Sequence, residues 1–185
     1  METKKHNLLL FLKEIAIVVI GVLIAAFLNQ LKEDNDNRRY IQKTLTTIEH
    51  EIEKSQHEVD TVLQKHMRLG EGIMANIDST DTSLGSLVST LGGIQFVKPS
   101  NIGLRFFITN KAELIEYETI VQLSDIEMSS EILENKMNAL INFNYENIEE
   151  TDRKSKMKLL AYLSNVVDSE QTLLTKYRRF LEHEK

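Results

Sequence analysis

The chain has 185 residues, a formal net charge of −6, no Cys, no Trp and a single Pro. Without Cys there are no disulfides, thiol nucleophiles or Cys metal sites, and the acidic balance argues against a general nucleic-acid role. Setting aside an apolar N-terminal stretch leaves about 150 residues, the size of one domain.

That stretch comes first in the chain. From Ile15 to Leu28 the sequence reads IAIVVIGVLIAAFL, with no charged side chain. Crossing roughly 30 Å of hydrocarbon takes roughly 20 apolar residues, so the anchor is drawn over residues 8–31, after a short tail of residues 1–7. Lys13 can snorkel to the surface, whereas the shorter Glu14 must face a partner, lie near the headgroups or be protonated. A cleaved signal peptide would carry a small-x-small site, and Ile24 or Phe27 spoils the candidates around Ala25 and Ala26. The run is apolar all round, unlike an ordinary core helix with one polar stripe. An uncleaved single-pass anchor is therefore expected. Lys4, Lys5 and Lys13 on one side and Lys32, Arg38, Arg39 and Lys43 on the other leave orientation undecided by charge. A short tail before a large domain fits a signal anchor, with the C-terminal domain outside the cytoplasm.

One face of this helix differs from the other. At 100° per residue, Glu14, Val18, Gly21, Ala25, Asn29 and Lys32 fall within about 60° of one line. Ala16, Val19, Ile20, Leu23 and Phe27 lie opposite. Gly21 and Ala25 form a small-xxx-small pair, which permits close helix–helix approach. Glu14, Val18, Gly21, Ala25 and Asn29 are the expected membrane-helix interface.

Beyond the anchor, all Gly residues lie between Gly70 and Gly103. Gly and Pro are the main helix breakers, so the domain, residues 32–185, reads as a long helix, a broken middle and a helical second half. The long helix covers residues 32–69. Ile41, Leu45, Ile48, Ile52, Val59 and Val62 keep heptad-like spacing, with Ser55 and His66 filling the register, and form the expected bundle seam. If the helix continued unbroken from the anchor, this seam would lie about 180° from the Glu14–Gly21–Ala25 stripe. Either the chain bends at Asn35–Asp36–Asn37, or the stripe packs between protomers while the seam packs the protomer's own bundle. The second is favoured.

Residues 70–103 read as a Gly/Ser-rich tip, with one short helix around Leu84, Leu87, Val88 and Leu91 and an extended stretch from Ile94 to Val97. Gly92–Gly93 lacks the Lys-Ser/Thr of a phosphate loop and the spacing of a dinucleotide site. Residues 104–185 hold the returning helices. The first, from Asn110 to Leu123, carries Leu114, Tyr117 and Val121. The next is capped by Ser129 or Ser130 and carries Leu133, Met137, Leu140, Ile141, Tyr145 and Ile148. The last runs to about Glu182 with Leu160, Leu163, Val167, Leu174, Tyr177 and Leu181, interrupted by Glu170. The polar stretch Glu149 to Lys158 is either a turn or solvated helix. Such helices bury their seams in an antiparallel, all-α bundle or coiled-coil domain, the N-terminal transmembrane helix continuing into the long helix. Arg178, Arg179 and Phe180 then either return toward anionic headgroups or form a frayed, solvated tail.

Chemistry-bearing constellations are few. His50, Glu53, His57 and Asp60 share one helical face at a spacing that could hold a divalent metal, but an acidic, solvated face explains the same residues. No Ser, His and Asp arrangement supports a triad. Glu113 with Glu116 and Glu149 with Glu150 are ordinary surface acids. No catalytic, cofactor or metal site is expected.

The stretch KEIAIVVIGVLIAAFLNQLKED, Lys13 to Asp34, resembles the N-terminus of a family of uncharacterised bacterial single-pass membrane proteins. Glu14, the central Gly21, Asn29 and Glu33 carry the likeness, and a second stretch from Met128 to Tyr145, with Leu133, Phe143 and Tyr145, extends it. The Trp usual after that family's anchor is absent, with Leu31 in its neighbourhood. The resemblance implies an anchor followed by a helical domain.

The expectation is a non-enzymatic, membrane-anchored scaffold or accessory subunit of a bacterial envelope complex, acting through helix–helix association. Its partners would be membrane lipid and either further copies of itself or another membrane protein, with no nucleic acid and no cofactor. Its place would be the bacterial inner membrane, with the C-terminal domain in the periplasm. The alternative is a subunit of an ion- or proton-coupled membrane complex in which Glu14 titrates.

Overall fold

The computed structural model describes residues 2–99, 105 and 115–183. Among them the protein is all-helical, in the order α1 (Glu2–Ala75), α2 (Leu84–Thr90), α3 (Tyr117–Glu146) and α4 (Arg153–His183). It divides into two compact units, Met1–Lys43 and Thr44–Lys185.

The first unit is helix alone. No break occurs at Asn35, Asp36 and Asn37, where a bend was one expectation. These residues are weak helix formers, yet an established helix propagates through them at a cost of a few tenths of a kcal/mol each.

The second unit is built from α1 beyond Thr44, α2, α3 and α4. α4 is antiparallel to α1: His66 meets Glu170, whereas a Cβ on Gly70 would meet Leu163 and Leu160. α4 is also antiparallel to α3. Lys176 Nζ donates to Asp125 O (3.2 Å) at one end, and Phe143 and Tyr162 stack at 5.0 Å toward the other. It follows that α1 and α3 run the same way and that α4 runs against both. The chain between α1 and α3 must cross back along the bundle. It does so past Leu84 N, bonded to Glu150 O in the α3–α4 turn (2.7 Å), then Lys98 on Glu134 (3.1 Å), then Arg105 on Glu127 (2.8 Å).

The core follows the heptads. Ile48, Ile52, Val59, Leu63, Leu69 and Ile73 are buried from α1, Leu123, Ile126, Leu133, Met137 and Leu140 from α3, and Leu163, Val166, Leu173, Leu174, Tyr177 and Phe180 from α4. Each large apolar side chain so buried contributes roughly 1.5–3 kcal/mol.

Several boundaries differ from the sequence expectation. α1 does not stop at Leu69 but passes through Gly70 and Gly72 to Ala75. Both glycines lie under neighbouring side chains: a Cβ on Gly72 would come within 2.8 Å of Leu91 Cδ1. At Gly72 close packing outweighs the poor helix propensity of Gly, whereas a Cβ on Gly70 would make ordinary contact, 3.5 Å from Leu163 Cδ2. The helix expected from Asn110 to Leu123 and the one expected to start at Ser129 or Ser130 are one helix, α3, starting at Tyr117. Residues 110–114, with Leu114, lie outside the described residues. Ser129 and Ser130 are mid-helix, and their hydroxyls donate to Asp125 O (2.8 Å) and Ile126 O (2.9 Å) four residues back. The stretch Glu149 to Lys158 opens as a turn and becomes α4 at Arg153. Asp152 caps that helix, accepting from Ser155 N (3.1 Å) and Ser155 Oγ (2.7 Å). Those bonds, the hydroxyl's first, hold its carboxyl below the usual range.

Gly92–Gly93 has a structural role. Gly93 N donates to Val88 O (2.9 Å) and Gly92 N to Ser89 O (3.1 Å), closing α2 with φ of +100° and +76° at the two glycines. This is a Schellman-type C-cap, and left-handed backbone explains the residue type.

Candidate functional site

The expected membrane-helix interface lies on α1 within the first unit. Glu14, Val18, Gly21, Ala25 and Asn29 are all exposed, and a Cβ on Gly21 would meet nothing within 4 Å. The bulky residues of the same run are also exposed, from 43% at Ile15 to 70% at Ile17. The most apolar window of this helix has a mean hydropathy of 2.2 and is 0% buried. The helix is long and apolar enough to cross a membrane.

The expected seam residues are distributed as follows. Ile48, Ile52 and Val59 are buried, while Ile41, Leu45 and Val62 are half-buried. Beyond Val59 the buried row shifts by one, to Leu63, and then continues through His66, Leu69 and Ile73.

The feature that sequence reasoning passed over is a polar pair within this core. His66 lies seven residues from Val59 and from Ile73, and Glu170 lies seven from Leu163 and from Tyr177, so both occupy core positions of their helices. Both side chains are 0% exposed, and His66 Nδ1 sits 2.9 Å from Glu170 Oε1. Glu170 Oε2 and His66 Nε2 have no protein partner. The hydrogen bond between the ring and the carboxyl group joins α1 to α4. His66 also borders a groove of about 270 Å³ between these helices, with Met67, Gly70, Leu160, Leu163 and Val167. Ser164 lines the same groove, and His66 Nε2 makes no hydrogen bond to it.

Other polar groups of the bundle, buried or half-buried, also tie elements together. Lys156, 0% exposed, donates through Nζ to Asn76 O (3.1 Å) and to Ser79 O, satisfying carbonyls just past the end of α1. Lys136 Nζ bonds Ser169 Oγ (2.7 Å) and Asn165 O (3.2 Å), joining α3 to α4. The Tyr177 hydroxyl has the Ser130 and Ser55 hydroxyls as polar neighbours, and burial pushes its pKa up to about 12. The signal for these residues was in the sequence as interruptions: a His, a Lys and a Glu falling where the heptad asks for Leu.

His50, Glu53, His57 and Asp60 remain on the outer face of α1, with His50 Nδ1 3.3 Å from Glu53 Oε2. Among the described residues no group of three or more His, Cys, Asp or Glu side chains is gathered at metal-binding distance. Phe180, expected at headgroups or in a frayed tail, is fully buried: α4 stays helical to His183 and turns this ring inward. Arg178 and Arg179 on the same turn are exposed.

The chain matches no family of known sequences, no curated protein and no solved structure.

Proposed function

We propose that this protein is a non-enzymatic scaffold or accessory subunit of a bacterial envelope complex, held in the inner membrane by residues 8–31. In this reading the unit Thr44–Lys185 is displayed in the periplasm and the anchor associates through its Glu14–Val18–Gly21–Ala25–Asn29 face. The observation that carries the reading is the bare apolar helix, every described bulky residue of which is at least 43% exposed between Ile15 and Leu31. An apolar surface of that extent is not tolerated in water and is satisfied by lipid or by another membrane helix. The polar groups inside the bundle are all consistent with holding helices together, which suits a rigid binding module.

The test is the mass of the full chain purified in mild detergent, measured by light scattering. Association through the small-residue face predicts an oligomer that Gly21→Leu dissociates, because a Leu side chain holds the helices apart. A monomer whose mass is unchanged by Gly21→Leu would remove the association from the proposal.

A further inference from the structure

Packing does not explain the glycine at position 70. A Cβ on Gly72 or Gly85 would collide with Leu91 or Ile148, whereas one on Gly70 would make ordinary contact, 3.5 Å from Leu163 Cδ2. Ala would serve the interior of α1 better at this position. What the missing side chain leaves open is the groove of about 270 Å³ between α1 and α4, walled by Met67, Leu160, Leu163, Ser164 and Val167. His66 stands one turn before Gly70 and lines the same groove. Its Nδ1 is engaged by Glu170, which is not among the groove's walls, and its Nε2 has no protein partner. Buried polar atoms are nearly always paired, so an apolar groove beside a fully buried nitrogen without a partner is an incomplete site.

We infer that this groove binds a small neutral phenol, its ring lying among Met67, Leu160, Leu163 and Val167 and its hydroxyl paired with His66 Nε2. The head group follows from the nitrogen. A hydroxyl both donates and accepts, so it completes Nε2 in either tautomer of the imidazole. An anion would meet Glu71 on the groove wall and Glu170 beyond the ring. A cation would shed its hydration against leucine and valine side chains. The body follows from the walls. An apolar cavity of about 150 Å³ takes benzene, so about 270 Å³ has room for a ring and a short alkyl chain. The Met67 thioether, 43% exposed, offers a sulfur–aromatic contact. Nε2 is shielded from solvent, so the phenol reaches it by pushing a wall side chain aside, and the unbranched Met67 is the most adaptable of them. The site lies wholly within the unit Thr44–Lys185 and holds whether or not the anchors associate.

The test follows the imidazole itself by NMR, on the full chain in mild detergent with 15N-labelled histidine. The chain has 5 His, and His66→Gln identifies the signal of this ring. The protein is titrated with 4-propylphenol and with propylbenzene, which keeps the body and lacks the hydroxyl. We expect the His66 Nε2 resonance to shift saturably with 4-propylphenol, at an affinity about tenfold above that for propylbenzene. Gly70→Leu, which fills the groove, should abolish the saturable shift. Ser164→Phe, at an exposed position of the same wall, is a second block should Gly70→Leu not fold, and the helical circular-dichroism spectrum tells which variant to read. Both ligands enter detergent micelles, and comparison of blocked and unblocked chains in the same micelles removes that contribution. A His66 signal that does not move, that moves only in proportion to added phenol, that answers both ligands equally, or that still saturates in a folded blocked variant overturns the inference.

Discussion

His66 and Glu170 meet in a place where leucine would serve packing better. Each brings a polar atom out of water, and one hydrogen bond between them offsets only part of that cost. The consequence is asymmetric. Removing one partner strands the other, so His66→Leu or Glu170→Leu alone should destabilise the bundle by about 3–5 kcal/mol. Replacing both should cost much less or even stabilise it, because two leucines fill a seam already flanked by Val59, Leu163 and Ile73. Denaturant titration of the single and double variants reads this out as a non-additive cycle. The pair then acts in register: a slip of α4 by one heptad would place Leu163 or Tyr177 against His66 and leave Glu170 against an aliphatic side chain. Tyr177 adds a pH-dependent contribution. A phenol is neutral until it loses its proton, and a pKa raised from 10.0 to about 12 means that the folded state holds that proton more tightly. Stability is thus unaffected well below pH 10 and falls as pH rises from about 10 to about 12, by up to about 2–3 kcal/mol. Tyr177→Phe should abolish this alkaline loss, which unfolding midpoints across about pH 9–12 will measure.

At the scale of elements, the helices were legible where their apolar period is clean and misjudged where a residue type had a second use. α2 stands out in the sequence through Leu84, Leu87 and Val88 because a Gly pair ends it. Gly92→Ala should cost about 1–2 kcal/mol, since the left-handed φ of +100° strains any side chain while the space around it is open. Loss of that amount in thermal unfolding, without change in helix content, is the expected outcome. Gly70 and Gly72 look the same on paper as Gly92, yet they continue α1. Sequence carries no sign of the Leu163 and Leu91 side chains that lie over them. Ser129 and Ser130 likewise look like caps, but tertiary packing of Ile126 and Leu133 on either side carries α3 straight through. Glu170 read as an interruption because its partner is 104 residues away, beyond the reach of any local pattern. The parallel course of α1 and α3 was hidden for a related reason: heptads define a face and say nothing of direction.

For the whole molecule, the exposed apolar helix dominates behaviour outside a membrane. We expect the full chain to stay with the membrane fraction through alkaline carbonate and high-salt washes and to leave it only with detergent. Salt-extractable protein would mean that the helix rests on the surface through charge rather than within the bilayer. The bundle's acidic surface has no part in that retention.

The crossover between α1 and α3 also sets an order in time. Residues near the N-terminus leave the ribosome first, yet the groove that holds His66 is completed by Glu170, 104 residues later. At roughly 5–20 residues per second, α1 presents its apolar seam for about 5–20 s before α4 exists to cover it. During that interval the part of the seam around His66 lacks the helix that covers it. Slow codons ahead of α4 would lengthen this exposure, and a tighter α4 would not shorten it.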